Sequence, residues 1–190
     1  ATLHANRGIT ITAGNGTINA LTGTTTTING SIALGGNAIT LGGAGNITQG
    51  VNSIISGSGT GLVLTKADGG TLTLDIGNTY AGKTSITGGK LSINADDALG
   101  TATAAADQLT IAGGILEVTA NTTLAANRGI TIGAGNGTIN ATTGTTQIDG
   151  NIALSTRALI LGGAGNITQG TGSVISGSGT GLVLTKADGG

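Results

Sequence analysis

Short runs in which apolar and polar residues alternate recur along the chain, and they are clearest over residues 57–93. There, Leu72 and Leu74 flank a threonine, and Leu91 and Ile93 flank a serine. Period-two alternation over four to six residues indicates half-buried β-strands, and the Gly, Asn and Asp clusters between the runs are typical of tight corners. Each strand is too short to enclose a core alone. The stretch therefore predicts successive coils of a solenoid.

Helical periodicity is missing from the same pattern. No window combines apolar residues at i, i+3, i+4 and i+7 with capping residues at its ends. The nearest candidate is Asp96–Ala106, which is rich in alanine but is interrupted by Gly100 and two threonines. We expect at most one helical turn there, on a widened loop.

The chain repeats itself at long range. The segment ANRGITITAGNGTINALTGTT begins at Ala5 and returns at Ala126 as ANRGITIGAGNGTINATTGTT, and Ser56–Gly70 returns unchanged at Ser176–Gly190. The period is about 120 residues, and such self-similarity marks a repeat architecture. We predict one continuous β-helical segment over residues 1–190, with a first copy at 5–125 and a partial second copy at 126–190.

A shorter period lies inside the long one. The strand patterns of Leu109–Val118 and Ile130–Asn140 suggest coils of roughly 20 residues, and therefore about nine coils. Strict repetition favours a parallel β-helix over a sandwich or barrel, because each coil must overlie the previous one in register. With about 4.8 Å per coil, the predicted rod is roughly 40 Å long.

A solenoid cut within a repeat would expose unpaired strand edges and an apolar core layer, which natural proteins cover. We therefore expect either a longer polypeptide or self-association by end-to-end stacking of coils.

Composition agrees with a narrow solenoid core and excludes two classes of partner. The chain has 39 Gly, one Tyr, and no Pro, Cys, Met, Trp or Phe, so small branched residues must fill a uniform interior. The formal net charge is −1, without a basic stripe, which excludes nucleic acid as an expected partner. No apolar run approaches the ~20 residues that span a bilayer.

Five segments together resemble the autotransporter-associated β-strand repeat. They are GSGTGLVLTK (Gly57–Lys66), GGTLTL (Gly69–Leu74), NTYAGKT (Asn78–Thr84), ITGGKLSI (Ile86–Ile93) and DDALG (Asp96–Gly100). The resemblance implies an all-β, right-handed parallel β-helix in a large bacterial surface protein. It also implies export through an outer-membrane translocator barrel elsewhere in the full-length chain, an extracellular or cell-surface location, and no catalytic residues.

We therefore expect a non-enzymatic, rod-forming module that serves adhesion, biofilm or filament formation, with a host or cell-surface glycan or protein as a candidate receptor. The alternative is a Thr-rich flat face that binds ice or glycan. Threonines at Thr10 and Thr12, at Thr24–Thr27, and at Thr71 and Thr73 prompt that alternative, which would need a Thr pair at the same place in most coils. A β-helix enzyme that degrades polysaccharide is a third, weaker hypothesis.

One formal nucleotide-binding motif is present. Gly77–Thr84, GNTYAGKT, matches G-x-x-x-x-G-K-[ST], but a phosphate-binding loop needs a helix directly after it. Here an alternating strand broken by Gly88-Gly89 follows, and Asp75 lies too close to serve as the magnesium partner. We interpret the motif as a coil corner that leads into a strand.

The remaining candidates are single residues or pairs. We expect Tyr80 to pack over a coil corner with its hydroxyl on the backbone. Lys66 and Asp68, and their repeats Lys186 and Asp188, are predicted to make solvated or ladder-type contacts at a turn.

Acidic residues are sparse, and only Asp96 and Asp97 are adjacent, which predicts a solvated corner rather than a carboxylate site. The other acids are scattered singly: Asp68, Asp75, Asp107, Glu117, Asp149 and Asp188. His4 has no metal-ligand partners nearby, and Ala125 replaces it in the second copy. We therefore predict no catalytic, cofactor-binding or metal-binding residues, and no cofactor.

Overall fold

Parallel strands coil around a single axis throughout the structure, a computed structural model that describes residues 1–178 and 184–188. The strands in chain order are β1 (Thr2–Leu3), β2 (Ile9–Thr10), β3 (Gly16–Ala20), β4 (Thr25–Ile28), β5 (Ile32–Ala33), β6 (Ile39–Gly43), β7 (Asn46–Gln49), β8 (Ile55–Ser56), β9 (Leu62–Lys66), β10 (Thr71–Leu74), β11 (Lys83–Ile86), β12 (Lys90–Ile93), β13 (Ala105–Ile111), β14 (Ile115–Val118), β15 (Thr122–Leu124), β16 (Arg128–Ile132), β17 (Gly137–Ala141), β18 (Thr145–Ile148), β19 (Ile152–Ala153), β20 (Leu159–Gly162), β21 (Asn166–Gln169), β22 (Ile175–Ser176) and β23 (Leu184–Lys186).

Two long parallel sheets form two faces of the coil. The nine-stranded sheet has the order β1-β4-β7-β10-β12-β14-β17-β20-β23, and the eight-stranded sheet has the order β22-β19-β16-β13-β11-β9-β6-β3. The third face contains two three-stranded sheets, β2-β5-β8 and β15-β18-β21. This arrangement is an all-β parallel β-solenoid of about eight turns, close to the nine coils predicted.

The third face is interrupted between its two small sheets. Residues 78–80 and a 3₁₀ turn at Asp96–Leu99 occupy the two positions where strands would lie. The Thr79 N–H donates to the Ile55 carbonyl of β8, and the Asn78 N–H donates to the Asp97 carbonyl of the turn, each at 2.9 Å. The 3₁₀ turn confirms the single helical turn predicted within Asp96–Ala106.

Inward-facing apolar residues stack in register to form the core. On the nine-stranded sheet one buried column consists of Ile47, Leu72, Leu91, Leu116 and Ile139. Their strand neighbours point outward, so the alternating sequence pattern becomes an apolar inside and a polar outside. Apolar residues therefore stack on apolar residues from one coil to the next.

Coil length differs from the prediction of roughly 20 residues. Leu72 pairs with Leu91, which is 91 − 72 = 19 residues later, whereas Leu91 pairs with Leu116, 116 − 91 = 25 residues later. Most coils are longer than predicted because loop length at the corners varies. A pattern of strand residues cannot reveal that variation.

Candidate functional site

The nucleotide-binding motif of residues 77–84 forms a coil corner and the start of a strand. Strand β11 begins at Lys83, where a phosphate-binding loop would require a helix to begin. The Lys83 side chain points outward and its Nζ lies 2.7 Å from Asp107 Oδ2 in the next coil. This ion pair lowers the pKa of Asp107, chiefly through the hydrogen bond from Lys83. The local geometry is that of the corner predicted.

Asn78 links three successive coils at the gap in the third face. Its Oδ1 accepts from the Ile55 N–H at 2.8 Å and from Gln49 Nε2 at 2.7 Å, both in the preceding coil. Its Nδ2 donates to the Ala98 carbonyl of the following coil at 2.7 Å. The side chain is buried, so these bonds replace strand pairing that residues 78–80 do not make.

Tyr80 lies in the core rather than over a corner. Its ring is fully buried, and its hydroxyl hydrogen-bonds the Thr84 Oγ1 at 2.7 Å, not the backbone as predicted. Burial raises the pKa of Tyr80 to about 12, against the smaller opposing effect of the Thr84 hydrogen bond. A Cβ on Gly100 would lie 2.9 Å from the Tyr80 ring, so this glycine leaves room for the aromatic side chain.

The Asp96 carboxylate is not solvated at a corner as the sequence predicts, because it pairs with Arg128. Arg128 is 1% exposed, and its Nε lies 2.6 Å from Asp96 Oδ1. The guanidinium also donates to the backbone carbonyls of Leu99 at 3.1 Å and Gly100 at 2.8 Å. Arg128 thus binds the free carbonyls at the end of the 3₁₀ turn and joins that turn to the next coil. Asp97 is exposed, in agreement with the prediction.

Lys66 is not solvated, and its contacts are of the ladder type, between one coil and the next. It occupies an inward position at the end of β9 and is 1% exposed. Its Nζ donates to the carbonyls of Ala67, of Asp68 at 2.9 Å and of Gly88 at 3.2 Å. Burial lowers the pKa of Lys66, against the opposing charge of Asp68. The side chain therefore fastens one corner to the corner of the next coil.

The Asp68 carboxylate has a separate role in the same corner. Its Oδ2 accepts from the Gly43 N–H of the preceding coil at 2.8 Å, and its own backbone is left-handed, with φ 57°. Asp188, its repeat, accepts from the Gly163 N–H at 3.4 Å with φ 63°. Lys186, by contrast, is exposed and bonds the carbonyl of Ala187 at 2.7 Å.

Exposed asparagines repeat this inter-coil bonding at other corners. In each case the side-chain oxygen accepts a backbone N–H from the following coil, at 2.8 to 3.1 Å. The donor–acceptor pairs are Ala38–Asn15, Thr71–Asn46, Thr145–Asn121, Ala158–Asn136 and Val174–Asn151. Asparagine at a corner therefore extends the sheet ladder at the point where a strand begins.

One column of hydroxyl residues runs without interruption over six coils of the eight-stranded sheet. Its members, each paired with the next, are Thr17, Thr40, Thr65, Ser85, Thr110 and Thr131, and we call it the hydroxyl column. The outward positions beside this column contain Asn19 paired with Gly42, and Lys83 paired with Leu62, rather than threonine. The Thr pair in most coils that an ice-binding face would need is thus not formed on this sheet.

On the nine-stranded sheet, one outward column begins with threonines but is not threonine throughout. Thr27, Thr48 and Thr73 align, but their column continues to Ser92 and Glu117. Next to Glu117, Lys90 places its Nζ 2.8 Å from Glu117 Oε2. The carboxylate and the lysine end the hydroxyl array on this face.

Clustered metal ligands are not found within the ranges 1–178 and 184–188: no three His, Asp or Glu side chains come together there. His4 is exposed and its Nδ1 contacts Asn6 Oδ1. Asp75 is exposed and Asp149 accepts from Gln147 Nε2 at 2.7 Å. In the same ranges, no helix has the length and apolar character needed to cross a membrane.

Sequence reasoning missed the residues that carry most of the buried polar bonding. These residues are Gln49, Asn78, Gln108 and Arg128. Gln108 Nε2 donates to the Gly82 carbonyl at 3.0 Å, and its Oε1 accepts from Thr103 Oγ1 at 2.8 Å. The available signal was a polar residue at an inward position of an alternating strand, as at Lys66 and Gln49.

Comparison with known proteins identifies a family repeat in residues 64–93. Residues 64–93 match the family described as the passenger-associated-transport-repeat. The chain carries an autotransporter passenger repeat. The matched residues run from within β9 to the end of β12, so this passenger repeat contains Lys66, Asn78, Tyr80 and Thr84. The expected resemblance is thereby confirmed.

A curated relative supports the same assignment. It is the adhesin BmaC autotransporter of Brucella suis biovar 1 (strain 1330), which is 40% identical over 136 residues. The aligned region covers 67% of this chain, and it spans about 4% of the relative's length. No solved structure matches the chain.

Proposed function

We propose that the chain is a rod-forming, non-enzymatic module of a large bacterial protein that is secreted or displayed on the cell surface. The proposal rests on how the polar residues of the passenger repeat are bonded. Asn78, Lys66 and Thr84 each bond to other parts of the coil and not to a shared cleft. Side chains engaged in this way fix coil register, which is what a stiff spacer requires.

The charged residues support the same proposal. Three ion pairs of the described residues, Lys83–Asp107, Lys90–Glu117 and Arg128–Asp96, each join neighbouring coils. A polysaccharide-cleaving site would need three or more charged side chains gathered in one groove. Pairs that stitch one coil to the next fit a rod better than a catalytic centre.

The name of the curated relative suggests where this chain is located and what it does there. Because that protein is called an adhesin and an autotransporter, we propose a cell-surface or extracellular location for this chain. A role in adhesion, biofilm or filament formation, a glycan or protein receptor, and a translocator elsewhere in the polypeptide belong to the same proposal. End-to-end stacking of coils remains a prediction.

The proposal is tested by exchanging the rod in the full-length surface protein. Residues 5–125 are replaced by an unrelated β-solenoid with the same number of turns, and surface display and adhesion of the cells are measured. A spacer role predicts that both are retained at more than about half of the original level. Loss of adhesion with normal display would overturn it, as would release of reducing sugar from polysaccharide by the isolated chain.

A second candidate function, glycan binding on a flat face, is favoured by the hydroxyl column. Its side chains are uncharged; Thr17 is exposed, Ser85 is buried, and the other four threonines are half-buried. Regularly spaced hydroxyls, about 4.8 Å apart along the rod, can donate to and accept from the hydroxyls of an extended sugar chain.

A matched pair of triple variants tests this candidate. Replacing Thr40, Thr65 and Thr110 with valine keeps the β-branched shape and removes three hydroxyls from the column. The control replaces Thr27, Thr48 and Thr73 with valine on the nine-stranded sheet. Glycan binding is expected to fall at least tenfold only in the first variant. Equal binding by both variants and the unmodified chain would rule out the candidate.

A further inference from the structure

The two copies of the internal repeat lie on different faces of the solenoid. In the first copy, GTINA (β3) and the next two strands of its sheet, β6 and β9, lie in the eight-stranded sheet. In the second copy, GTINA (β17) and the equivalent strands β20 and β23 lie in the nine-stranded sheet. The same change affects the next strand of the repeat, because β4 belongs to the nine-stranded sheet and β18 to the third face.

Local pairing within each copy is nevertheless conserved. Ile18 pairs with Leu41 in the first copy, and the equivalent Ile139 pairs with Leu161 in the second. Strands of the following face repeat as well: β4 pairs with β7, and β18 pairs with β21. The copies therefore have the same fold, and only their position around the axis differs.

The difference follows from the number of strand positions in one repeat. Three positions make one turn, one on each face. From β3 to β17 the chain advances by fourteen strands, together with two positions on the third face that residues 78–80 and Asp96–Leu99 fill without a strand. The advance is 14 + 2 = 16 positions, and 16/3 is five and one-third turns.

We infer that each repeat of this solenoid rotates its surface by one third of a turn relative to the preceding copy. A feature that occurs once per repeat moves to the next face and returns to its original face only after three repeats. Three repeats are 16 turns, or roughly 77 Å at about 4.8 Å per turn. A rod of many repeats displays every such feature in three directions around its axis.

An exposed apolar corner shows the effect within this chain. Val51 and Ile54 follow β7 of the nine-stranded sheet and are 79% and 40% exposed. The equivalent corner follows β21 on the third face and carries Thr171 and Val174, of which Val174 is 54% exposed. The exposed apolar corner therefore lies after the nine-stranded sheet in the first copy and after the third face in the second copy.

The inference makes the proposed display function more specific. If the module is a surface rod, a flat multivalent partner that binds one face contacts only every third copy, whereas separate partners can occupy all three faces. This consequence rests on the proposed function. The rotation itself does not, since it depends only on strand count and pairing.

Spin-label distances in the intact 190-residue chain test the rotation. The chain has no cysteine, so each pair needs only two introduced cysteines. Two pairs lie on single faces, five turns apart: Thr17 with Thr131 on the eight-stranded sheet, and Thr25 with Thr138 on the nine-stranded sheet. The decisive pair is Thr17 with Thr138, which are equivalent residues of the two copies.

The two same-face pairs are expected to give similar distances, with their backbones about 24 Å apart. The equivalent-residue pair is expected to be longer by roughly 10 Å, because its labels lie on faces separated by the core. An equivalent-residue distance that matches the same-face pair Thr17–Thr131, together with a longer Thr25–Thr138 distance, would overturn the inference. Because no adhesion is measured, this failure is distinct from failure of the proposed function.

Discussion

Buried polar side chains determine how the coils join at the scale of single residues. Arg128, Lys66 and Asn78 each satisfy backbone groups that the strands leave unpaired. Leaving such groups without a partner in the interior costs about 1–3 kcal/mol each. These side chains therefore contribute to stability although they lie among apolar columns.

The repeat supplies a matched pair for testing Arg128. Arg128→Ala removes the guanidinium that pairs with the Asp96 carboxylate and donates to three backbone carbonyls, so we expect the free energy of unfolding to fall by about 3 kcal/mol or more. Arg7, its equivalent in the first copy, is exposed, and Arg7→Ala is expected to change stability by no more than about 0.5 kcal/mol. Chemical denaturation measures both. Equal effects would contradict the role assigned to Arg128.

Tyr80 predicts a loss of stability in alkali. Its pKa is about 12 in the folded chain and 10.0 when exposed, so its stabilising effect is complete below pH 10 and is lost as the pH rises through 12. Between these values the free energy of unfolding falls by about 1.4 kcal/mol per pH unit from this group. Lys66 acts in the opposite direction, because its pKa is lowered and rising pH relieves the buried charge.

Comparison with Tyr80→Phe, measured by denaturation at several pH values, isolates the tyrosine contribution, since Lys66 is common to both chains. The near-ultraviolet absorbance of tyrosinate gives an independent check, because Tyr80 is the single aromatic residue. A titration midpoint near pH 10 in the folded chain would contradict its burial.

Two inward threonines predict opposite responses to the same substitution. The Thr146 hydroxyl is buried without a hydrogen-bond partner in the described structure, whereas the Thr84 hydroxyl bonds Tyr80. Thr146→Val should therefore raise the free energy of unfolding by about 1 kcal/mol, and Thr84→Val should lower it by a similar amount. Thermal and urea denaturation measure both. Destabilisation by Thr146→Val would show that its hydroxyl is bonded.

At the scale of elements, corners and not strands set the coil geometry. The strands were predictable, since alternation of apolar and polar residues requires only local sequence. The length of each coil was not, because loops such as 44–45 and 100–104 differ in size without changing the strand pattern. Corners also bring backbones of adjacent coils into close contact.

Neighbouring glycines at one such corner give a matched test. A Cβ on Gly70 would lie 1.8 Å from the Gly45 carbonyl oxygen, whereas a Cβ on Gly69 would meet no atom within 4 Å. We expect Gly70→Ala to lower the free energy of unfolding by about 2 kcal/mol or more, because the two coils must separate. Gly69→Ala should change it by less than about 1 kcal/mol. Similar urea midpoints for the two variants would refute this contact.

The candidate site shows the limit of sequence reasoning more clearly. The absence of a helix after Gly82-Lys83-Thr84 could be predicted from the strand pattern that follows. The pairing of Asp96 with Arg128 could not, because the two residues are 32 positions apart and no local pattern links them. The burial of Lys66 was not predicted, because a lysine next to a turn is usually solvated.

At the scale of the whole molecule, the coils form one parallel solenoid whose repeat does not close on a whole turn. The 120-residue period was evident from the sequence. Its rotation was not, because the count of positions includes two on the third face, residues 78–80 and Asp96–Leu99, that contain no strand. Hydrogen bonds assign them to that face: the Thr79 N–H donates to the Ile55 carbonyl of β8, and Thr122 Oγ1 of β15 donates to the Asn94 carbonyl just before the turn.

The most direct test of a repeating rod is the change in shape when one repeat is added. A second copy of residues 5–125 is inserted before Ala126, and small-angle X-ray scattering gives the length and the cross-section of the chain before and after insertion. Five and one-third added turns predict a length greater by about 26 Å, with the cross-section unchanged. A wider cross-section at unchanged length would contradict the solenoid.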